Sequence, residues 1–145
     1  GRHALWFLAM KYLLDFTTRY QFDSAKGGIT LPTVLTVGPD SVECGAKVDT
    51  GAEYCLFQRT LAESLGISLQ TGPRMRFDTV AGTFTAYGHE VTLQTFDLAF
   101  DVMVWFAEDY EVSRNLLGRN GWLDLVLLGL NSYDEVIYLK GRDEG

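Results

Sequence analysis

Apolar and polar residues alternate along much of this chain, with the period of two that is typical of half-buried β-strands. Two stretches alternate strictly, residues 42–48 and residues 96–106. Their apolar positions are Val42, Cys44, Ala46 and Val48 in the first, and Phe96, Leu98, Phe100, Val102, Val104 and Phe106 in the second. Each stretch is therefore predicted to be a strand with one face in a core.

Turn-forming residues join the predicted strands into hairpins, because Gly, Pro, Asn, Asp and Ser favour the backbone angles of tight turns. Gly38 to Ser41 is such a run, and it follows a β-branched segment. The predicted hairpins pair residues 33–37 with 42–48, residues 75–80 with 83–87 around an exposed tip at Ala81-Gly82, and residues 125–130 with 136–139.

Only short helices are expected. Phe57, Leu61 and Leu65 recur at helical spacing, and Gly66 suits a helix C-terminus. Asn120–Asp124 is long enough for one helical turn. The predicted fold class is all-β, with one short helix after the strand that ends at Val48 and one helical turn near the C-terminal end.

Length and charge narrow the range of functions. The 145 residues accommodate one domain with a single core. The formal net charge of −7 and the lack of a Lys/Arg cluster argue against nucleic acid or an anionic membrane as partner. The apolar run Ala4–Met10 is too short to span a bilayer. The location is left open between the cytoplasm and a membrane tether outside this sequence.

The cysteines and histidines indicate neither a disulfide scaffold nor a metal site. Cys44 and Cys55 are too few for a stapled scaffold, and two buried free thiols are favoured over a disulfide between them. His3 and His89 have no Cys or carboxylate at ligand spacing, so no metal or other cofactor is expected. Nothing in the pattern places His89 beside either thiol as the base of a cysteine protease.

The tetrapeptide Asp49-Thr50-Gly51-Ala52 is the strongest candidate for chemistry. It directly follows the strand predicted over residues 42–48, so a strand delivers a carboxylate to a turn. Gly51 allows the backbone a tight course close to another chain or a ligand. Thr50 offers a hydroxyl that can lock the turn. The tripeptide Asp49-Thr50-Gly51 is short enough to occur by chance, so the surrounding sequence decides whether it indicates a catalytic site.

The surrounding sequence resembles the retropepsins, the family of the retroviral proteases and their cellular relatives. Lys47–Phe57 matches their first hallmark: an apolar strand, Asp-Thr-Gly-Ala, the acidic residue Glu53, and further apolar residues. Asn115–Asn120 matches the second: two apolar residues, Gly, Arg and Asn before a helical turn. Between the hallmarks, Phe77–Ala86 lies where the family carries its flap, a flexible hairpin that closes over substrate.

The resemblance implies a closed, mostly β retropepsin-like acid-protease fold. It covers about Ile29 to Lys140, with the elements in family order. The expected organisation is an N-terminal extension with a candidate first strand at residues 1–28, a protease domain at residues 29–140 and a C-terminal tail at residues 141–145.

The resemblance also implies a role for each matching residue. The catalytic residues would be Asp49, Thr50 and Gly51. The substrate would contact Ala52, Glu53, Val80, Ala81, Gly82, Thr83 and Leu117. Structural support would come from Gly118, Arg119 and Asn120. An ion pair between Glu53 and Arg119 would brace the active-site loop, and the alternative is that both charges are simply solvated.

The chemistry that the resemblance implies needs two carboxyl groups that share one proton, one to activate water and one to polarise the substrate carbonyl. No aspartate other than Asp49 is followed by Thr-Gly or Ser-Gly; Asp78-Thr79 comes nearest and is followed by Val80. Two copies of the chain must then pair, so that each contributes Asp49. Thr50 would cross-bond the two loops, by resemblance to the family.

The predicted function is therefore a metal-free, homodimeric aspartic endopeptidase that binds peptide or protein substrates in extended form. The alternative is a dimeric binding or scaffold module of the same fold, with weak or highly restricted proteolysis. A third reading is a regulatory processing enzyme with a single natural target. The apolar N-terminal segment is expected to be a self-cleavage region, cut between Leu5 and Met10, or else to pack on the domain as an edge strand or short helix.

Overall fold

The computed structural model describes residues 10–80 and 82–144, and within them the chain is mostly β-structure. The strands are β1 (Thr18–Gln21), β2 (Thr30–Val37), β3 (Asp40–Val48), β4 (Leu56–Phe57), β5 (Arg74–Thr79), β6 (Gly82–Thr95), β7 (Leu98–Ala107), β8 (Leu116–Leu117), β9 (Val126–Asn131) and β10 (Val136–Gly141). One helix, α1, spans Arg59–Ser64, and single 3₁₀ turns occur at Ser24–Lys26, Leu69–Thr71 and Leu123–Leu125. The all-β prediction is confirmed.

Two sheets contain all of these strands. The larger has the order β2-β3-β8-β4-β7-β6-β5, and β2 also pairs with β6. That extra pairing closes the sheet on itself and leaves β5 outside the closed ring as an edge strand. The smaller sheet has the order β1-β10-β9, so the candidate first strand in the N-terminal segment pairs with the last strand of the chain.

The hairpins form where the turn residues predicted them, with two local shifts. Phe96 was expected to begin a strand, but it lies in the turn between β6 and β7 with φ = 57°. In the flap, Thr79 pairs with Gly82, so Gly82 lies beyond the turn at the tip and not within it as expected. Gly82, with φ = 133°, is already the first residue of β6.

The helix prediction is confirmed for α1, since Leu61 and Leu65 are buried and Gly66 follows with φ = 70°. The C-terminal helical turn is a 3₁₀ turn at Leu123–Leu125, later than expected. Before it, Trp122 is fully buried and its indole Nε1–H donates to Thr95 Oγ1 at 3.0 Å. No helix of the described residues is long and apolar enough to cross a membrane.

Two hydrophobic clusters stabilise the fold. The main core lies inside the closed sheet, and its largest fully buried side chains include Trp122, Phe57, Phe106, Leu31, Leu35, Leu65, Leu93 and Leu117. The smaller cluster is built on Leu56, Ala86 and Ala107, with the partly buried side chains of Phe77, Phe84, Trp105, Val112 and Leu116 packed against it. This second cluster lies where the flap meets the sheet.

Candidate active site

Asp49 is held at the carboxyl end of β3 by its pairing with β8. Val48 lies opposite Leu117 in a parallel ladder, and the Asp49 N–H donates to the Leu117 carbonyl at 3.1 Å. The Asp49 side chain is half-buried. β8 has only two residues, but its pairing with β3 fixes where β3 ends and therefore where Asp49 lies.

The turn after β3 folds back on the Asp49 side chain. The Gly51 N–H donates to Asp49 Oδ1 at 2.9 Å, and the Ala52 N–H donates to the Asp49 carbonyl at 3.2 Å. A β-carbon at Gly51 would lie 3.3 Å from Asp49 Oδ1, tighter than most such contacts. The turn therefore leaves the second carboxylate oxygen, Oδ2, with no hydrogen-bond donor among the described residues, and exposes Thr50 to solvent.

The segment after β8 packs beneath this turn, backbone on backbone. The Arg119 N–H donates to the Ala52 carbonyl at 2.9 Å, and the Asn120 N–H donates to the Glu53 carbonyl at 2.8 Å. A β-carbon at Gly118 would lie 2.2 Å from the Tyr54 carbonyl oxygen. Only glycine fits at Gly118, because that distance is far below van der Waals contact.

Cys55 contacts Gly118 from the side of the main core. Its Sγ accepts the Gly118 N–H at 3.3 Å, and the side chain is fully buried. Burial raises the pKa of the Cys55 thiol to about 11, against a smaller opposing effect of its hydrogen bond with Gly118. Burial likewise raises the pKa of Cys44 to about 11. Both thiols are free, and such thiols stay protonated and weakly nucleophilic at neutral pH.

The flap is braced at its tip by short-range hydrogen bonds. Thr79 Oγ1 donates to the Gly82 carbonyl at 2.8 Å, and Thr83 Oγ1 donates to Asp78 Oδ1 at 2.9 Å. Val80 is fully exposed at the tip. The predicted contact residue Ala81 lies outside the described residues.

Two predictions for this site are corrected. Leu117 was expected to contact substrate, but its side chain is fully buried in the main core. Successive strand residues face opposite sides, so its neighbour Leu116 faces the small cluster beneath the flap instead.

No ion pair joins Glu53 to Arg119 in the described part of the chain. Both side chains are exposed, where solvent screens such an attraction and the backbone bonds already join the two segments.

Sequence reasoning missed the aromatic residues around the small cluster. The Tyr54 ring lies 5.9 Å from that of Trp105 and 6.1 Å from that of Phe77, both edge to face. Phe77 stacks on Phe84 across the flap, with ring centres 5.3 Å apart. The equal distance of Phe77 and Phe84 from the flap tip was the available signal, since it predicts that they face each other.

Other chemistry-bearing groups lie apart from Asp49. His89 Nε2 is 2.7 Å from the Leu69 carbonyl, and a carbonyl only accepts, so this nitrogen carries the proton. No group of three His, Cys, Asp or Glu side chains suited to a metal occurs within residues 10–80 and 82–144. A cavity of about 550 Å³ lies beside β2 and the β6–β7 turn, and one of about 510 Å³ lies on the flap. Neither cavity is lined by Asp49.

The chain matches an aspartyl protease family profile, and its fold is similar to that of a solved protease. A family profile described as aspartyl protease matches residues 34–121. Among solved structures, a retropepsin-like aspartic protease from Rickettsia conorii is similar, with a TM-score of 0.61 at 13% identity over 85% of this chain and 97% of that one. The EIAV protease, in complex with the inhibitor HBY-793, gives a TM-score of 0.46 at 17% identity over 76% and 88%. No curated protein sequence matches significantly.

Proposed function

The chain belongs to the aspartyl protease family, and from this premise we propose that it is an aspartic endopeptidase that acts as a homodimer. The observation that carries the proposal is the Asp49 turn. One carboxylate oxygen is fixed by the Gly51 N–H at 2.9 Å, while the other has no donor among the described residues. A carboxylate oriented in this way is suited to hold a water or to share a proton with a second acid.

The need for a second acid is what supports a dimer. Two carboxyl groups about 3 Å apart cannot both ionise, so the pair holds one proton between them. The sequence provides one Asp-Thr-Gly motif per chain, and two-fold pairing of identical chains would bring two such motifs together. Thr50 is exposed beside Asp49 in the single chain, so its hydroxyl is available to the partner chain.

In the proposed reaction, the ionised Asp49 of one chain removes a proton from water as the oxygen attacks the substrate carbonyl. The protonated Asp49 of the partner subunit donates to the carbonyl oxygen, and a proton then passes to the leaving amine as the C–N bond breaks. The substrate lies extended between the floor and the flap, as an added strand. The half-buried Leu116 and Phe77 offer an apolar surface beside it.

The test compares Asp49→Asn with Asp40→Asn, a matched change of charge and shape at the exposed start of β3. An unfolded protein and an apolar peptide library serve as substrates, with and without a transition-state mimic of aspartic proteases. We expect Asp49→Asn to lower turnover by at least about a thousandfold and Asp40→Asn to leave it unchanged. Turnover by Asp49→Asn within about tenfold of wild type would exclude the mechanism. Tight peptide binding without cleavage would favour the binding-module alternative.

Self-processing of the N-terminal segment is part of the same proposal. Residues 1–9 lie outside the described residues. Residues 10–15, which include Tyr12, Leu13 and Leu14, are exposed and form no strand. A protease with an apolar cleft should accept such an extended segment. Mass spectrometry of the protein at mildly acidic pH should show a loss of five to nine residues in wild type and none in Asp49→Asn. An intact N-terminus in demonstrably active enzyme would rule self-processing out.

A further inference from the structure

The flap projects from the sheet as a ribbon of two strands. Pairing of β6 with β7 begins at Ala86, opposite Ala107, so residues 82–85 pair only with β5. β5 is itself an edge strand. One further backbone bond, from the Glu108 N–H to the Thr85 carbonyl at 2.9 Å, lies at the base of the ribbon. Because an isolated two-stranded ribbon is marginally stable in water, its side-chain contacts decide where it lies.

Phe77 joins the ribbon to the floor of the site. Its ring meets that of Tyr54 at 6.1 Å and 78°, and that of Trp105 at 6.3 Å and 64°. Tyr54 and Trp105 meet each other at 5.9 Å and 65°. We call these three rings the aromatic triangle. Edge-to-face contacts at such distances are the favoured arrangement of aromatic pairs.

Two corners of the aromatic triangle are fixed independently of the flap. Trp105 lies opposite Gly88 in the β6–β7 ladder, and a β-carbon at Gly88 would lie 3.0 Å from the indole ring, so the ring covers the glycine. Tyr54 forms a backbone bridge with Asn120, in the loop that also carries Ala52 and Asp49. The third corner, Phe77, is the only one that belongs to the flap.

We propose that Tyr54 is a positioning residue: through the aromatic triangle it holds the base of the flap over the catalytic floor. The proposal rests on the proposed function, because the position of the flap matters when a substrate is enclosed. Tyr54 is suited to this role because its backbone belongs to the floor and its ring contacts the flap. Its hydroxyl makes no hydrogen bond to any described residue, so the ring carries the effect.

Hydrogen exchange tests the aromatic triangle without requiring any activity. In Tyr54→Leu, amides of residues 77–84 should exchange about tenfold faster, as expected for the loss of about 1.4 kcal/mol of aromatic contact. In the control Tyr54→Phe, which keeps the ring, they should exchange as in wild type. Amides of residues 89–95, within the β6–β7 ladder, should not change in either variant. Unchanged exchange of residues 77–84 in Tyr54→Leu would overturn the proposal.

Kinetics test its consequence for the reaction. We expect Tyr54→Leu to raise KM about tenfold with kcat within about threefold, and Tyr54→Phe to retain both constants. Equal losses in the two variants would contradict a role for the ring. Absence of turnover in wild type would refute the proposed function and leave the exchange result to decide on the aromatic triangle. If Tyr54→Leu does not fold, Phe77→Leu removes the Tyr54–Phe77 contact from the flap side, together with the contacts of Phe77 to Trp105 and Phe84. Phe84→Leu, which removes the Phe77–Phe84 stack and leaves the aromatic triangle, is its control.

Discussion

At the scale of single residues, the site depends on the lack of a side chain at Gly118 as much as on the carboxylate of Asp49. Asp49 is placed by a backbone hydrogen bond to the Leu117 carbonyl and by the Gly51 N–H, which donates to its carboxylate. The bond to Leu117 requires β8 and the chain after it to come close. Gly118 permits that approach, and the buried Cys55 thiol receives its N–H. The Asp49 residue is thus held in place by backbone N–H and C=O groups.

Gly118→Ala is predicted to destabilise the fold severely. The new methyl group would lie 2.2 Å from the Tyr54 carbonyl oxygen and 2.6 Å from its carbon. Because both are backbone atoms, neither can turn aside, and we expect a loss of about 3 kcal/mol in the free energy of unfolding. Denaturant unfolding monitored by tryptophan fluorescence measures this loss.

The control for that collision is Gly82→Ala at the start of β6. Gly82 has φ = 133°, and nothing lies within 4 Å of the position of its β-carbon. Alanine there meets backbone strain without a collision, so we expect a loss of about 1 kcal/mol. Equal losses for the two variants would show that close packing at Gly118 is not the cause.

At the scale of elements, the two-residue strands β4 and β8 have few ladder hydrogen bonds of their own, so other contacts must stabilise them. The side chain of Asn115 makes some of these contacts. Its Oδ1 accepts the Gln58 N–H at 3.0 Å, and its Nδ2 lies 3.3 Å from the Gly45 carbonyl. One side chain thereby joins the end of β4, the middle of β3 and the start of β8.

Asn115→Ala is predicted to cost about 1–3 kcal/mol of unfolding free energy, because the half-buried Gln58 N–H loses its acceptor. Asn115→Asp keeps that acceptor but replaces the two donor contacts at 3.3 Å by a carboxylate oxygen that faces the Gly45 carbonyl and Gln58 Oε1. Because Gly45 is exposed and Gln58 can turn its amide to donate, that repulsion is weak, and the variant should cost less than Asn115→Ala. Denaturant midpoints of both variants at neutral pH provide the comparison. If the aspartate variant is as unstable as the alanine variant, the Gln58 bond is not the important one.

At the scale of the whole molecule, a single chain offers a carboxylate at an open surface. The two cavities described above are not lined by Asp49, and in the proposed dimer a second copy would cover the site. The larger cavity lies beside β2 and belongs to a different face. Assembly and activity should therefore be linked by mass action.

Specific activity is predicted to fall on dilution through the range where sedimentation shows dissociation. A tenfold excess of Asp49→Asn chains should reduce the activity of wild type to about one-tenth, because random exchange leaves few pairs with two carboxylates. Activity should also favour mildly acidic pH, since the pair needs one shared proton. An activity that is independent of concentration while the protein is monomeric would exclude the shared site.

Local patterns in the sequence were enough to predict most strands, α1 and the Asp49 turn. Alternation gives the period of a strand, and turn residues give its ends, so the β2–β3 and β9–β10 hairpins were predicted without knowledge of any distant contact. The same rule failed at Phe96. The alternation continues through it, but its φ of 57° belongs to the turn, and only the pairing of β6 with β7 decides that.

The tertiary structure decided which elements meet. The β2–β6 pairing, the insertion of β8 between β3 and β4, and the aromatic triangle all join residues far apart in the chain, and a local pattern carries no information about such partners. The pairing of β8 also determines that Leu117 and not Leu116 faces the main core, because a shift of one residue in a strand reverses which side chain is buried. Local sequence predicted the Asp-Thr-Gly-Ala segment and its turn, because both are set by neighbouring residues; the packing of distant backbone against Gly118 fixed the surface on which that turn lies.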